Sequence, residues 1–163
     1  MGYRATSRQP PWKSSDVKGQ NSGGIAYQTA GGSVVNGTGG SWYDWAGTFA
    51  AGCLTDFTHS AGVLTYTGAE TRVFKANFNG VFRATGTGTP AWISVGVSVN
   101  NATPATCTHR VMKGTSTATG ASMSSLITLS QGDTVRMKSL AVATAEGSTT
   151  VYWDMICALT VSV

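Results

Sequence analysis

Two segments of the sequence alternate between apolar and polar residues, one in the middle of the chain and one at its end. In residues 74–85 the even positions carry three phenylalanines, and the odd positions are mostly polar. In residues 149–163 the odd positions include Val151, Leu159 and Val161. Because successive side chains of a strand point to opposite faces, both segments are predicted to be strands with one apolar face. We expect the terminal strand to be central or sealed by another subunit, since such a strand at an open edge promotes aggregation.

Shorter segments of the same kind are separated by turns rich in Gly, Asn and Asp. They predict strands near residues 47–57, 64–66, 93–99, 106–112, 123–129 and 134–142. Gly80, inside the Phe-rich strand, is expected to mark a bulge or a close approach of another backbone. Many short strands at this spacing predict an all-β fold, an antiparallel sandwich or jelly roll, for residues 25–163.

The composition supports an all-β domain. The chain of 163 residues contains 24 Thr and 21 Gly but only six Leu and two Glu, so the good helix formers are scarce. Charged residues make up 11% of the chain, well below the roughly 25% of an ordinary soluble domain. A surface poor in charge is typical of subunits that pack against each other.

Residues 1–24 differ from the rest of the chain and are predicted to form an extended arm without a core of its own. Residues 1–18 carry a net charge of +3, while the remainder, with seven basic and six acidic residues, carries +1. A basic arm can meet a protein surface, an acidic membrane or nucleic acid, and its sparse charge favours a protein surface. The candidate docking residues are Tyr3, Arg4, Arg8, Trp12, Lys13 and Lys18.

The sequence offers little for catalysis. Its two histidines, His59 and His109, have no nucleophile motif beside them, and the acidic residues form no pair suited to glycoside cleavage. Cys53 and Cys107 could join the histidines in a zinc site, but the 107/109 spacing is shorter than structural zinc ligands use. We therefore expect no enzyme activity, no metal and no cofactor.

The start of the chain has no signal peptide and no segment is apolar enough to span a membrane, so synthesis in a reducing cytoplasm is expected.

The densest aromatic cluster contains Trp42, Tyr43 and Trp45. Rings this large could be buried within the domain, fill a seam between subunits, or stack against sugars or bases. The pattern alone leaves these alternatives open.

Residues 64–163 resemble the complement-globular and tumour-necrosis-factor-like (C1q/TNF-like) jelly roll. The resemblance rests on residues 64–68 before the Phe-rich strand, on the strand that ends at Asn100–Asn101, on the Leu-x-x-Gly-Asp-x-Val pattern at 129–135 and on the apolar terminal strand. Within that superfamily, residues 64–72 look like the trimeric modules of tailed-bacteriophage structural proteins. The resemblance implies a threefold assembly whose sheet faces meet at the axis, with Tyr152, Trp153 and the aromatic cluster as candidates for the seam.

The sequence thus predicts a virion structural protein assembled in the host cytoplasm. We expect a homotrimeric capsid decoration, or cement, protein whose arm binds the major capsid protein or another virion protein. One alternative is a receptor-binding fibre tip that recognises a cell-surface glycan through Trp42, Tyr43 and Trp45 or through the loop 114–122. Another is the shell protein of a small icosahedral virus, whose basic arm would face the genome.

Overall fold

The computed structural model describes residues 22–30, 32–36, 41–45, 48–86, 90–105, 107–111, 119–143, 149–153 and 158–163. Within these ranges the chain contains strands and turns and no helix. The strands are β1 (Gly23–Ala30), β2 (Gly32–Asn36), β3 (Tyr43–Asp44), β4 (Thr48–Thr55), β5 (Phe57–Ser60), β6 (Val63–Tyr66), β7 (Arg72–Gly86), β8 (Pro90–Val99), β9 (Cys107–Val111), β10 (Thr119–Leu129), β11 (Thr134–Ala143), β12 (Thr149–Trp153) and β13 (Ala158–Ser162).

These strands form two antiparallel sheets that pack face to face. Sheet A has seven strands, six of which follow the order β2-β12-β7-β13-β1-β4. Strands β12 and β13 pair with successive parts of one edge of β7, and β10 pairs with the opposite edge. Sheet B has six strands in the order β5-β6-β11-β8-β9, with β3 paired to β11. The predicted all-β sandwich is confirmed.

The long Phe-rich strand β7 organises sheet A. One edge of β7 pairs with β10 over residues 72–82, and the other pairs with β13 and then with β12. The terminal segment therefore lies inside the sheet, because β13 also pairs with β1 and β12 with β2. The prediction of a central terminal strand is confirmed.

Along the edge of β7 that pairs with β10, Gly80 does not mark a bulge. The pairing of β7 with β10 runs without a register shift through Gly80, which lies opposite Ala121. On the other edge, the pairing with β13 ends at Asn79 and the pairing with β12 begins at Phe82. Gly80 is thus the point at which β7 passes from one partner strand to the next.

The core is formed by the side chains that face inward from both sheets. Phe74, Ala76 and Phe78 of β7 are completely buried, as the two-residue period predicts. Phe57 and Tyr66 meet Phe74 with ring centroids 5.4 and 5.0 Å apart, in the edge-to-face geometry that aromatic pairs favour. Full burial of side chains of this size stabilises the fold by roughly 1.5–3 kcal/mol each.

The hairpin between β5 and β6 contains a residue that fits its turn poorly. Ala61 and Gly62 both have positive φ angles, +47° and +79°, between the paired residues Ser60 and Val63. This is the pattern of a two-residue type I′ turn, which favours Asn followed by Gly. A residue with a β-carbon other than Asn or Asp is disfavoured in the left-handed region.

We expect Ala61→Asn to stabilise the protein by about 0.5–1 kcal/mol, because Asn tolerates the left-handed region better than Ala does. Thermal or chemical denaturation monitored by circular dichroism measures the change. Ala69→Asn is the matched control, since Ala69 is also exposed but does not have a positive φ. A gain at position 69 as large as that at 61 would contradict the explanation.

Candidate functional site

The site to which the sequence points is the end of the sandwich where residues 1–21 join the domain. Ser22 is buried, its hydroxyl donates a hydrogen bond to Asp56, and its carbonyl accepts one from the Val163 amide at 3.3 Å. Gly23 then pairs with Thr55 and with Ser162. The root of the predicted arm and the final residue of the chain are therefore held together at one end of sheet A.

The Gly132–Asp133 turn lies at the same end and connects three parts of the chain. The Asp133 carboxylate accepts a hydrogen bond from the Ser130 amide and one from the Asn100 side chain, both at 2.7 Å. The Asn100 carboxamide oxygen in turn accepts from the Thr134 amide at 2.9 Å. Asp133 thus serves its turn, as the Gly-Asp pattern predicts, and also fixes the turn at Asn100.

These hydrogen bonds change the acidity of Asp133. The Ser130 amide, followed by the Asn100 side chain, holds the pKa of Asp133 below its ordinary value, because both donors favour the ionised carboxylate. Folding therefore stabilises the charged form. The contribution of ionised Asp133 to the free energy of unfolding is fully present above its unfolded-state pKa, near 4. This contribution is lost as the pH falls through the lower folded-state pKa.

The loop from Thr67 to Thr71 closes this end of the core. The buried Tyr66 hydroxyl donates to the Glu70 carbonyl oxygen at 2.8 Å, so the loop folds across the tyrosine ring. Gly68 lies against that ring, and a β-carbon at Gly68 would clash with the tyrosine hydroxyl oxygen. A glycine is needed here for close approach rather than for an unusual backbone angle.

The predicted aromatic cluster is divided by the fold. Trp45 is 7% exposed and packs against Phe78 with centroids 5.1 Å apart and the rings nearly perpendicular. Trp42 and Tyr43 are half-buried. The ring of Trp45 is part of the core of the described subunit. The structure supports the alternative of burial within the domain.

The other predicted site residues are only partly described. The backbones of Tyr152 and Trp153 lie in β12, an interior strand between β7 and β2. Their side chains lie outside the described residues, as do Tyr3, Arg4, Arg8, Trp12, Lys13 and Lys18. The roles of these residues remain predictions.

A cluster of ionic groups that the sequence did not reveal lies on the outer side of sheet B. Asp44 forms ion pairs with Arg136 at 2.9 Å and with Lys138 at 3.4 Å. Lys138 is only 7% exposed and also donates to the Asn101 carbonyl oxygen at 3.2 Å. The cluster joins β3, β11 and the 100–105 loop. The sequence contains one indication of this cluster. Arg136 and Lys138 alternate with apolar residues in β11, which predicts that both cations face outward.

This cluster borders a small cleft of about 70 Å³, whose apolar lining includes Trp45, Phe49 and Met137.

In the part of the chain that the structure describes, no three His, Cys, Asp or Glu side chains come close enough to hold a metal ion. The same residues include no helix that is long and apolar enough to span a membrane.

Comparisons with known proteins reveal a structural likeness and no sequence relative. No protein-family model matches the chain, and neither does any curated protein sequence. The structure of the TNF protein Eiger from S. frugiperda aligns with a TM-score of 0.55 and 11% identity, covering 88% of this chain and 92% of that one. Murine APRIL at pH 5.0 aligns with a TM-score of 0.49 and 10% identity, covering 83% of this chain and 99% of that one. The likeness to Eiger confirms the predicted TNF-like jelly-roll fold.

We expect Asp133→Asn to lower Tm at neutral pH by about 2–4 °C, the equivalent of roughly 1 kcal/mol for a chain of this length. Asn keeps one acceptor oxygen but turns an amide N–H toward either Ser130 or Asn100, both of which donate. The loss is modest because water reaches the carboxylate.

Scanning calorimetry between pH 7 and pH 2.5 provides the test. The difference in Tm between wild type and variant is expected to shrink as the pH falls through the folded-state pKa of Asp133. Glu70→Gln is the control, since the Glu70 side chain is 75% exposed and its ion pair with Arg72 contributes little. A Tm difference for Asp133→Asn that stays constant with pH would contradict the assignment.

Proposed function

We propose that this protein is a virion structural protein: a trimeric decoration protein that binds a phage capsid through its N-terminal arm, residues 1–21, which precede the buried Ser22. The arm would supply the contact with the capsid, and the jelly roll would supply the trimer. The observation that carries the proposal is the position of Ser22, which is buried at one end of the sandwich beside Val163. A basic arm thus starts from a fixed point on a nearly neutral domain.

In a threefold assembly, the position of the arm root at Ser22 would bring three arms to one end of the trimer. In a cyclic trimer all three subunits point the same way along the axis, so three arm roots lie at the same end of the assembly. Three weak contacts then act together, because the second and third arms bind at a high effective concentration. Tyr3 and Trp12 would serve as anchors, each contributing roughly 1.5–3 kcal/mol when buried in the capsid surface.

The phage assignment is supported by the resemblance of residues 64–72 to trimeric modules of tailed-phage proteins. In the structure these residues form the end of β6, the loop across Tyr66 and the start of β7. They therefore belong to the end of the sandwich that carries the arm root. The TNF-like fold is compatible with several functions, so the arm is what favours decoration.

We expect deletion of residues 2–18 to weaken binding to undecorated capsids at least 100-fold while the trimer stays intact. Two further variants separate the contributions of the arm: Tyr3→Ala with Trp12→Ala removes the anchors, and neutralising Arg4, Arg8, Lys13 and Lys18 removes the charge. Co-sedimentation with capsids measures binding, and native mass spectrometry measures the assembly. The charge variant should also lose the salt dependence of binding.

Ser14→Ala with Ser15→Ala is the matched control, because it changes the arm without removing charge or an aromatic ring. This variant should decorate capsids as the wild type does. Equal capsid affinity for the deletion variant and the wild type would refute the role of the arm. Closed particles formed by the full chain alone would favour the shell-protein alternative instead.

A further inference from the structure

Sheet B is interrupted along the edge of β11 that faces away from β8. This edge pairs with β6 at residues 134–135 and with β3 at residues 138–139. Arg136 and Met137 lie between these two pairings, and both residues line the small cleft of about 70 Å³. The cleft also reaches Trp45, which, like Met137, belongs to the core. The gap between β6 and β3 is thus an opening toward the core that a further side chain can fill.

The cleft has the size and the walls for one short aliphatic side chain. Its apolar walls come from Trp45, Phe49, Val63 and Met137. A cavity of about 150 Å³ lined by apolar side chains holds a benzene molecule, which has six non-hydrogen atoms. A cleft of about 70 Å³ therefore has room for roughly three such atoms, the number in the side chain of valine.

The rim of the cleft is ionic and has an unused hydrogen-bond donor. The Asp44 carboxylate is paired with both Arg136 and Lys138, so two cations share one anion. Nη1 of Arg136 is bonded to Asp44, but its Nε is buried without an acceptor among the described residues. A buried donor without an acceptor is costly. An occupant of the cleft is therefore expected to bring acceptor oxygens, and preferably a carboxylate, to this rim.

Residues 1–21 contain one segment with these properties. Val17 is the only valine, leucine or isoleucine in these residues, and the adjacent Asp16 is their only acidic residue. Lys18 follows, so one aliphatic side chain is flanked by a carboxylate and an ammonium group. Charges of both signs also surround the cleft, with the cations in excess. Opposite charges at this distance attract each other, even where water screens them.

The tether between Val17 and the domain is long enough to reach the cleft. Ser22 is hydrogen-bonded to Asp56, which directly precedes the hairpin of β5 and β6. Each strand of this hairpin has four residues and is about 13 Å long, and the turn at its far end, residues 61–62, lines the cleft. The five steps from Val17 to Ser22 span up to about 17 Å when extended. Gly19 lies within this tether and permits the reversal of direction that the path requires.

We propose that the cleft binds Val17 of the same chain, so that residues 16–18 form a latch on the side of the domain. A weak contact is sufficient, because a short tether keeps Val17 at a high effective concentration beside the cleft. The inference deepens the proposed function and rests on it for its consequence. With Val17 held, Trp12 is tethered to the domain by five residues instead of the ten that separate it from Ser22. The shorter tether raises the effective concentration of this anchor at a capsid.

Limited proteolysis with trypsin tests the latch, because cleavage after Lys18 requires the residues around it to enter the protease. The reference is a free peptide of residues 1–24, and each cleavage rate in the full chain is divided by the rate at the same bond of the peptide. We expect cleavage after Lys18 to be slowed at least fivefold relative to cleavage after Arg8, which lies outside the latch. Mass spectrometry of the products gives both rates. Equal relative rates at the two bonds would show that no latch exists.

Two variants separate the latch from the root of the arm, because Ser22 is itself fixed four residues after Lys18. Val63→Phe fills the cleft, and Val17→Ala shortens the side chain that occupies it. Each should raise the relative rate at Lys18 at least threefold. Val73→Phe is the matched control, since it makes the same substitution at an exposed strand position of sheet A. It should leave the rate unchanged.

Circular dichroism verifies that each variant is folded, and Val17→Ala provides the answer if Val63→Phe is not. The proposal is overturned if either variant, correctly folded, leaves the rate at Lys18 as it is in the wild type and in Val73→Phe. It is also overturned if the protection of Lys18 disappears on dilution of the wild type, because the occupant would then be the arm of a second copy.

These measurements need no capsid, so the latch and the proposed function can fail separately. If decoration is wrong and the latch is right, the variants at positions 17 and 63 change cleavage at Lys18 although no form of the protein binds capsids. If the latch is wrong and decoration is right, cleavage at Lys18 is insensitive to the cleft, and deletion of residues 2–18 still weakens capsid binding.

Discussion

The structure depends on the pairing of β7 along both of its edges. A strand that is hydrogen-bonded to β10 on one side and to β13 and β12 on the other cannot slip by one residue without exchanging its two faces. Such a slip would expose Phe74 and Phe78 and bury Lys75. The same pairing therefore fixes which side chains of β7 form the aromatic core and which, Lys75 among them, face away from it.

The end of the sandwich that carries the arm root depends on a different kind of interaction. There, in addition to apolar packing, Ser22 and Asn100 donate side-chain hydrogen bonds to Asp56 and Asp133, and Asp133 also accepts one from the Ser130 amide. Such bonds have defined directions, so they hold the first described residue and the last residue of the chain in a fixed relation. An arm that must present anchors to a partner requires a root of this kind, since motion at the root would lower its effective concentration.

Much of the fold could be predicted from residue periodicity, and the exceptions have physical causes. The alternation in residues 74–85 reflects burial on one face, and it identified β7 within two residues at its start. The pairing of β4 with β1 was not predictable, because register shifts at Gly24/Ala26 and Gln28/Ala30 interrupt its pattern. Trp45 could not be assigned from sequence, since a ring beside other aromatics looks the same whether its partner is Phe78 or a ligand. The burial of Lys138 depends on the Asn101 carbonyl, which lies 37 residues away in the chain.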